Sequence, residues 1–495
     1  MKRQQNNRKW GAIIGVVSVI IVVGIGLFFY HNFFRQTHGD LVETIPPDAS
    51  FILQLNDNEN FVKTSNPLLP YLGEVLSLDA LPGFEFFMDK FHGKNGVIIS
   101  CHQSDNNKKL LFSTRISETT FKELLKTLRI DPRNYIPFDN VKIYSFGTHY
   151  KKFNFTFHNN FFTISEDVEL LKKSIVQIKN PRNLLSNKNF STIYENIIQK
   201  NNKQNWLIVQ NKPFFEETRF FLSDEYHLWS EQLANVSEWG AFVIRLNDKE
   251  VSLSGYALEG SPFFEKFKQQ PTSGTADVQI VPFNSNSYTS VKTSDPTLFS
   301  STISAIYPTA DKEELAYFNK LLPVSTIAFH LQKDTVKYSY IALKIDSTVS
   351  SLVAIAPDSA DNTGIIFKKY TIHPVKKGHF NTLLSILHQN IDMSYYVEYQ
   401  GHYIFSDTEV ALQHYINNLQ SNFTQQPLYK FAKTNIPSEN NFEFCFIAPE
   451  PDWTLPYASP QAAHSHTVKG IQVISYSFSA PQKGFVPMNI YIKMR

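Results

Sequence analysis

The strongest pattern along the chain is an uninterrupted apolar run at residues 11–30, GAIIGVVSVIIVVGIGLFFY, which contains no charged side chain. A helix of this length rises about 30 Å, which matches the hydrocarbon core of a bilayer. The run is longer than the apolar core of a typical cleaved signal peptide, and it ends in bulky aromatic residues rather than in a small-residue cleavage site. We therefore predict one transmembrane helix at 11–30 that acts as an uncleaved signal anchor.

The residues on either side of this run predict its orientation. Basic residues cluster before it, whereas Arg35 is the one Lys or Arg between the run and Asp40. Because basic residues are retained on the cytoplasmic side, we predict a cytoplasmic tail at 1–10 and a juxtamembrane linker at 31–44. The remaining chain is then periplasmic, or otherwise extracytoplasmic, outside the cytoplasmic (inner) membrane. The residues that set this topology are Lys2, Arg3, Arg8 and Lys9. The aromatic residues expected at the two membrane interfaces are Trp10, Phe28, Phe29 and Tyr30.

Beyond residue 44 the pattern changes to short apolar strands, hairpin turns and a few amphipathic helices. One block occurs twice, as HNNFFTISEDVELLKKSI at 158–175 and as YQGHYIFSDTEVALQHYI at 399–416. Each copy reads as a strand, a tight turn, a second strand and the start of a helix. Ser165 and Ser406 precede acidic residues at these helix starts, so we predict that their hydroxyls cap the two helices.

Other matches occur in the same order and indicate an internal duplication. VKTSNP at 62–67 recurs as VKTSDP at 291–296, and each helix is followed by an apolar strand and a further hairpin. We predict two diverged repeats, at 45–268 and 277–495. They are joined by a linker at 269–276 that is rich in Pro, Gly, Ser and Thr.

The predicted fold class is α+β, with two diverged repeats of a mainly antiparallel sheet and a few packed helices, behind one N-terminal transmembrane helix. One segment fits the duplication less well. Phe153, Phe155 and Phe157 alternate in the first copy, whereas the apolar residues of the second copy are one position out of phase. Either a β-bulge absorbs this shift, or the alignment is wrong at this point.

Composition narrows the class of protein. With 42% hydrophobic and 19% charged residues, the chain after the anchor is globular rather than disordered. The net charge of +2, without a basic stripe, argues against nucleic acid as a partner. Cys101 and Cys445 both stand within apolar strand-like segments, so we expect two buried residues, with a disulfide between them as the alternative.

No catalytic motif is visible. The chain has no GxSxG, HExxH or Walker A sequence and no GxGxxG after a strand. His464 and His466 could hold a metal with a third ligand, but a solvated loop is the favoured interpretation. We therefore predict no catalytic residue, no cofactor and no metal site. Four tryptophans are expected to pack in cores rather than to stack on ligands: Trp206, Trp229, Trp239 and Trp453.

Several segments together resemble an uncharacterised family of bacterial envelope proteins, in which a domain of unknown function follows a single N-terminal signal anchor. These segments are the anchor, IPPDASFILQL at 45–55, the SED and SDT helix starts, and GYALEG…QQP leading into VQIVPFNSNSY at 278–288. The resemblance implies membrane anchorage and an exported domain. It supplies no catalytic residues that could be transferred to this chain.

Three functions follow from these patterns. The favoured one is a membrane-anchored, exported, non-catalytic envelope protein that acts as an interaction or scaffold module. Its expected partners are the bilayer, through 11–30, and other envelope proteins. The alternative is a binder of lipid, glycan or peptide in a groove between the two repeats. The third is an envelope enzyme whose residues meet only in three dimensions. Gly11 and Gly15 could let two anchors dimerise, although glycine is common in membrane helices.

Overall fold

The structure is a computed structural model, and it describes the strands, the helices and most of the short turns between them. The described residues are 39–56, 96–104, 107–147, 152–180, 183–218, 237–247, 249–260, 264, 267, 277–293, 295–298, 301, 321, 323–333, 336–345, 364–379, 392–435, 437, 439–448 and 471–495.

Strands dominate the described chain, and they are numbered here in chain order. They are β1 Ala49–Leu55, β2 Val97–Ser104, β3 Asn107–Arg115, β4 Ile136–Phe138, β5 Val141–Gly147, β6 Lys152–His158, β7 Phe161–Ser165, β8 Trp206–Gln210, β9 Trp239–Asn247, β10 Glu250–Leu258, β11 Ser287–Lys292, β12 Pro323–Lys333, β13 Val336–Ile345, β14 Ile365–Phe367, β15 Tyr370–His379, β16 Asp392–Tyr399, β17 His402–Ser406, β18 Phe442–Ile447, β19 Ile471–Phe478 and β20 Phe485–Met494. Every pairing whose register is given is antiparallel.

Helices are few and short in the part of the chain that the structure describes. The α-helices are α1 Glu118–Thr127, α2 Val168–Lys179, α3 Lys188–Ile193, α4 Asn211–Thr218, α5 Glu409–Asn417 and α6 Pro427–Asn435. Short 3₁₀ turns lie at Leu41–Thr44, Leu184–Ser186, Gln199–Asn201, Val278–Ile280 and Phe423–Gln425, and a π-helical turn lies at Tyr194–Ile198. This mainly antiparallel sheet with a few helices agrees with the predicted α+β class.

The chain forms two compact units. The first contains 1–47 and 111–187, and the second contains 48–110 and 188–495. This division falls at different places from the predicted repeats, and the predicted linker at 269–276 lies outside the described residues.

In the first unit, neighbouring strands follow the order β4-β5-β6-β7-β3. Helix α2 packs on this sheet and places Leu171 and Ile175 in a core with Leu111 and Ile143. The Ser174 hydroxyl on the same helix donates to the Thr44 carbonyl oxygen at 2.7 Å. The apolar face predicted for this helix therefore lies against the sheet.

In the second unit, one antiparallel series runs β2-β1-β8-β9-β10-β20-β19-β18-β11-β12-β13-β17-β16-β15, and β14 pairs with β15. Helix α5 contributes Leu412 and Ile416 to the large core beside β11 to β13. The Tyr415 hydroxyl on this helix donates to the Ile280 carbonyl oxygen at 2.9 Å.

The two predicted hairpin turns are confirmed. Asn159 and Asn160 have φ values of 51° and 63° between β6 and β7, and Gln400 and Gly401 have φ values of 49° and 72° between β16 and β17. Asn and Gly tolerate this left-handed region, which the tight turn requires. Both hairpins end in strands whose last residue is serine.

The helix caps are not the predicted serines. Ser165 and Ser406 are the buried last residues of β7 and β17, so the chain needs further residues before it turns into a helix. Asp167 caps α2 by accepting the Leu170 backbone N–H at 3.3 Å. Thr408 caps α5 in the same way. The Ser165 hydroxyl instead accepts the N–H of Asp167 at 3.1 Å, and the Ser406 hydroxyl donates to the Ser339 carbonyl oxygen at 2.8 Å.

The phase difference in the hairpin needs no shift of strand register. Asn154 faces Ser165 in the first hairpin, and Tyr395 faces Ser406 in the second, at the same distance along the sequence. In β6 the consecutive residues 153–156 are all buried. Because both faces of that strand are covered, the alternation of apolar residues does not show which face points toward the core.

Candidate functional site

The short strand β14 forms an open edge. Phe367 and Tyr370 flank its two-residue turn and pair directly, and Ile366 pairs with Thr371 one step further on. In an antiparallel ladder such positions alternate between bonded and non-bonded pairs, so the N–H and C=O of Ile366 point away from β15. Among the described residues β14 pairs with β15 alone, and the Ile366 side chain is 79% exposed.

Strand β4 has the same place in the strand order of the first unit, but its edge is blocked. Phe138 and Val141 flank its turn, and Pro137 pairs with Lys142 at the outward-pointing position. Proline has no N–H to offer a further strand, which is a common way of protecting a sheet edge. Within the described ranges, β14 therefore presents an outward N–H at Ile366, and the similar strand β4 has none at Pro137.

A hydrogen-bonded relay of three side chains lies on β2 and beside the start of β1. His102 Nδ1 is 2.8 Å from Asp48 Oδ1, and His102 Nε2 is 2.8 Å from Ser100 Oγ. If the carboxylate accepts the Nδ1 proton, Nε2 is left as the acceptor for the Ser100 hydroxyl. This connectivity is the one found in serine hydrolases.

The exposure of the relay limits its chemistry. Ser100 has 0% of its surface exposed and His102 has 1%, whereas the Asp48 side chain is 43% exposed. A nucleophilic oxygen must reach a substrate carbonyl, and the Ser100 hydroxyl lies inside the sheet. The matching positions on β12 are Phe329 and Leu331, which are buried and apolar.

A second buried polar group, which we call the Lys292–Glu443 cluster, occupies one face of β11, β12, β18 and β19. Its members are Tyr288, Ser290, Lys292, Ser325, Glu443, Cys445 and Ser477, together with Lys433 from α6. Alternate residues of a strand share a face. Ser325 faces Lys292, Glu443 faces Ser290, and Ser477 in turn faces Glu443 across the next pair of strands.

Glu443 is the hydrogen-bonding centre of this cluster. Its side chain is fully buried and accepts hydrogen bonds from the Tyr288 hydroxyl and from Asn440 Nδ2, the latter at 3.1 Å. Lys433 Nζ lies 3.8 Å from Glu443 Oε2. Burial, reinforced by the carboxylate, raises the pKa of the Tyr288 hydroxyl and of the Cys445 thiol. Both groups therefore stay protonated, which makes Cys445 a poor nucleophile.

Lys292 is the exceptional member of the cluster. It is 6% exposed, and burial lowers its pKa to about 8 even though Glu443 and Asp277 oppose the shift. Its Nζ has no hydrogen-bond partner in the part of the chain that the structure describes. The hydroxyls of Ser290 and Ser325 are buried there without a partner in the same way. Each such group carries a desolvation cost of about 1–3 kcal/mol.

The first half of the sheet fills the matching positions differently. When β1 and β11 are aligned on the apolar–proline pairs that precede them, Asn56 matches Lys292, and Trp206 takes the place of Glu443. Asn56 Nδ2 donates to the Gln204 carbonyl oxygen at 2.7 Å. Gln54 takes the place of Ser290, and its Oε1 is also buried without a hydrogen-bond partner among the described residues. The sheet is therefore built once with an uncharged set and once with charges, so strand pairing alone does not require the charges.

A smaller ionic group adjoins the cluster, because Lys344 faces Ser325 from β13. Lys344 Nζ lies 2.7 Å from Asp277 Oδ2, and His402 Nε2 lies 3.5 Å from the same oxygen. Burial would raise the pKa of Asp277, but the Lys344 ammonium outweighs it and holds that pKa below its ordinary value. Burial lowers the pKa of His402, so its ring is neutral at neutral pH.

The residues predicted from sequence contribute little to these features. Trp206 and Trp239 are buried core residues as expected, and Cys101 and Cys445 are buried thiols in strands. Among the described residues, no helix is long and apolar enough to span a membrane, and no group of His, Cys, Asp or Glu side chains is arranged to hold a metal ion. The remaining predicted positions lie outside the described residues: Lys2, Arg3, Arg8, Lys9, Trp10, Gly11, Gly15, Phe28, Phe29, Tyr30, Trp229, Trp453, His464 and His466.

Sequence reasoning missed the relay and the Lys292–Glu443 cluster. The available signal was the placing of polar residues two positions apart within a strand, namely Ser100 with His102, and Ser290 with Lys292. A lysine two positions after a serine and four after a tyrosine in one strand was a further hint. The cross-strand partners that complete each group come from distant parts of the sequence.

Comparisons with known proteins add no functional information. No protein-family model matches the chain, and no curated protein shows a significant match. Crystal form III of TP0453 aligns with 48% of this chain and 91% of its own, at 11% identity and a TM-score of 0.26. Crystal form I of TP0453 aligns with 46% and 80%, at 12% identity and a TM-score of 0.24. Similarity at this level supports no inference about this chain.

Proposed function

We propose that this protein is a membrane-anchored, exported interaction module of the bacterial envelope, and that it binds an extended segment of another envelope protein as an added strand at β14. The observation that carries the binding mode is the outward-facing backbone of Ile366 beside an exposed apolar side chain. The location rests on the apolar run at 11–30 and the basic residues before it. The resemblance to an anchored envelope family supports the same location.

We also propose that the exported part arose by duplication. The order β4-β5-β6-β7-β3 recurs as β14-β15-β16-β17-β13, and β2-β1-β8-β9-β10 recurs as β12-β11-β18-β19-β20. One hydrogen bond recurs as well. Ser174 on α2 donates to the carbonyl of Thr44, and Tyr415 on α5 donates to that of Ile280, each within a 3₁₀ turn.

If the two halves arose by duplication, the difference between the edge strands β4 and β14 developed after they separated. Two copies that began alike now differ at the outward position, where one has Pro137 and the other has Ile366. An open edge is a liability for aggregation unless a partner covers it. Strand addition supplies main-chain hydrogen bonds for affinity and alternate side chains for specificity. This contrast supports a binding role for β14 and a protected edge at β4.

A non-catalytic role agrees with the burial of the relay. Ser100 and His102 have the connectivity of a hydrolase relay, but neither is accessible. We therefore assign them to internal hydrogen bonding, in which each buried polar atom satisfies another.

The test exchanges the residue types at the outward positions of the two edge strands. Ile366→Pro removes the outward N–H without removing a bond to β15, and Pro137→Ile restores an outward N–H at the other edge. Full-length wild type and both variants would be crosslinked in cells, captured through a C-terminal tag and compared by quantitative mass spectrometry. We expect Ile366→Pro to lose specific crosslinked envelope partners, whereas Pro137→Ile retains them. Equal recovery of every partner with Ile366→Pro would refute binding at β14.

The location is tested separately. A C-terminal alkaline phosphatase fusion should be active and a C-terminal β-galactosidase fusion inactive, because the former requires export and the latter requires the cytoplasm. Replacing Lys2, Arg3, Arg8 and Lys9 with glutamine should increase the fraction in the inverted orientation. Activity of the β-galactosidase fusion in the wild-type chain would contradict the proposed topology.

A further inference from the structure

We propose that Lys292, Ser290 and Ser325 form a binding site for a small oxyanion, meaning a carboxylate or a phosphate-type group. This site is independent of the edge strand β14 and of the proposed interaction function. The three side chains belong to two adjacent strands on one face of the sheet, and each is at least nine-tenths buried without a hydrogen-bond partner among the described residues.

The geometry suits an anion with more than one oxygen. Ser290 and Lys292 are alternate residues of β11, and Ser325 faces Lys292 directly across the β11–β12 pair. Side chains related in these ways lie about 5–7 Å apart at their Cβ atoms. One ammonium and two hydroxyls therefore belong to neighbouring positions on one face of the sheet, and their spacing is within the reach of a single oxyanion. All three can donate hydrogen bonds, and the acceptor that they lack is the group that an oxyanion supplies.

The charge balance also favours an anion. Lys292 and Lys433 carry two positive charges against the one carboxylate of Glu443, which leaves one positive charge. Glu443 accepts hydrogen bonds from Tyr288 and Asn440, and Lys292 Nζ makes none to it. An unpaired buried charge is costly, and one bound monoanion would neutralise it.

The fold does not need this arrangement, because the matching positions of the first half are uncharged or internally bonded. Trp206 stands in the place of Glu443, and Asn56 stands in the place of Lys292. The side chain of Lys433 is 30% exposed, but its Nζ is buried without a hydrogen-bond partner among the described residues. Charges that occupy positions where an uncharged set is sufficient favour binding over support of the sheet.

The test measures thermal unfolding of the full chain in detergent, in chloride and in acetate, sulfate or inorganic phosphate at constant ionic strength. For wild type we expect a saturable rise in Tm with at least one oxyanion relative to chloride. Stronger stabilisation by acetate would assign a carboxylate ligand, and stronger stabilisation by phosphate or sulfate would assign a phosphate-type ligand. Absence of a saturable rise with all three anions would overturn the proposal.

Variants tie the effect to the site. Lys292→Met should abolish the rise, while Lys344→Met should keep it, because Lys344 pairs with Asp277 instead. Ser290→Ala with Ser325→Ala removes only two buried hydroxyls and is expected to fold, and it should weaken anion affinity about tenfold at about 0.7 kcal/mol per hydroxyl. An unchanged rise in the serine double variant or in Lys292→Met would place anion binding elsewhere and refute the assignment.

Discussion

The hydrogen bonds of Glu443 give a quantitative test of how the buried cluster is stabilised. Replacing Glu443 with leucine removes the acceptor used by the Tyr288 hydroxyl and by Asn440 Nδ2, and it removes the carboxylate that faces Lys433. Removing one partner of a buried ion pair costs about 3–5 kcal/mol in total, including the donors that it leaves unpaired. We therefore expect Glu443→Leu to lower the free energy of unfolding by about 4 kcal/mol.

A double-mutant cycle separates this cost from a loss of volume. Tyr288→Phe alone should cost about 2 kcal/mol, because it removes one hydrogen bond to a charged group. The double variant Tyr288→Phe with Glu443→Leu should cost about 4 rather than 6 kcal/mol, since no Tyr288 donor is left unpaired. This leaves a coupling energy of about 2 kcal/mol between the two residues.

The measurement is urea unfolding of the full chain in detergent, supported by hydrogen exchange of the β11 and β18 amides. Ser477→Ala is a matched control, because Ser477 faces Glu443 but its hydroxyl has no hydrogen-bond partner among the described residues. It should change stability by less than about 1 kcal/mol. A loss below about 1 kcal/mol for Glu443→Leu, or strict additivity in the cycle, would refute the reasoning.

Three further predictions concern pH, the relay and a helix cap. The pKa of Lys292 is about 8 in the folded chain, whereas the ordinary value is 10.5. Between these pH values the unfolded state holds more protons, so the stability of the wild type relative to Lys292→Met should rise by about 3 kcal/mol as pH increases in chloride buffer. A stability difference that does not change with pH would contradict the burial argument. Ser100→Ala should cost about 1 kcal/mol, and wild type should not react with a fluorophosphonate probe; labelling of Ser100 would instead identify a nucleophile. Asp167→Ala should cost about 1 kcal/mol and lower amide protection in the first turn of α2, whereas equal loss of that protection in Ser165→Ala would restore the serine as the cap.

Local sequence signals located the hairpins and helices. Asn159-Asn160 and Gln400-Gly401 stand between apolar strands, and the left-handed backbone of these turns selects such residues regardless of what packs around them. The amphipathic helices predicted from sequence include α2 and α5, in which Leu171 and Leu412 are buried. The two caps were misplaced by a short distance because each strand continues through its final serine.

The buried polar groups depend on strand neighbours that the sequence does not specify. Alternate residues of β11 share a face, which places Tyr288 and Lys292 together. Their acidic neighbour Glu443, however, is 155 positions beyond Tyr288. Asp48 and His102 are likewise 54 positions apart. Without the order of strands, each of these residues is one polar position in a strand, and its chemistry is determined only when a particular strand lies beside it.

The pairing of β10 with β20 has a consequence for biosynthesis. Glu250 on β10 contacts Lys493 on β20, which is 243 positions later in the chain. At synthesis rates of about 5–20 residues per second, β10 emerges roughly 12–50 s before the strand that covers it. During that interval a nine-residue edge from Glu250 to Leu258 is open to the wrong neighbour. Assembly of this protein therefore includes a period in which one long edge of an unfinished sheet has no covering strand.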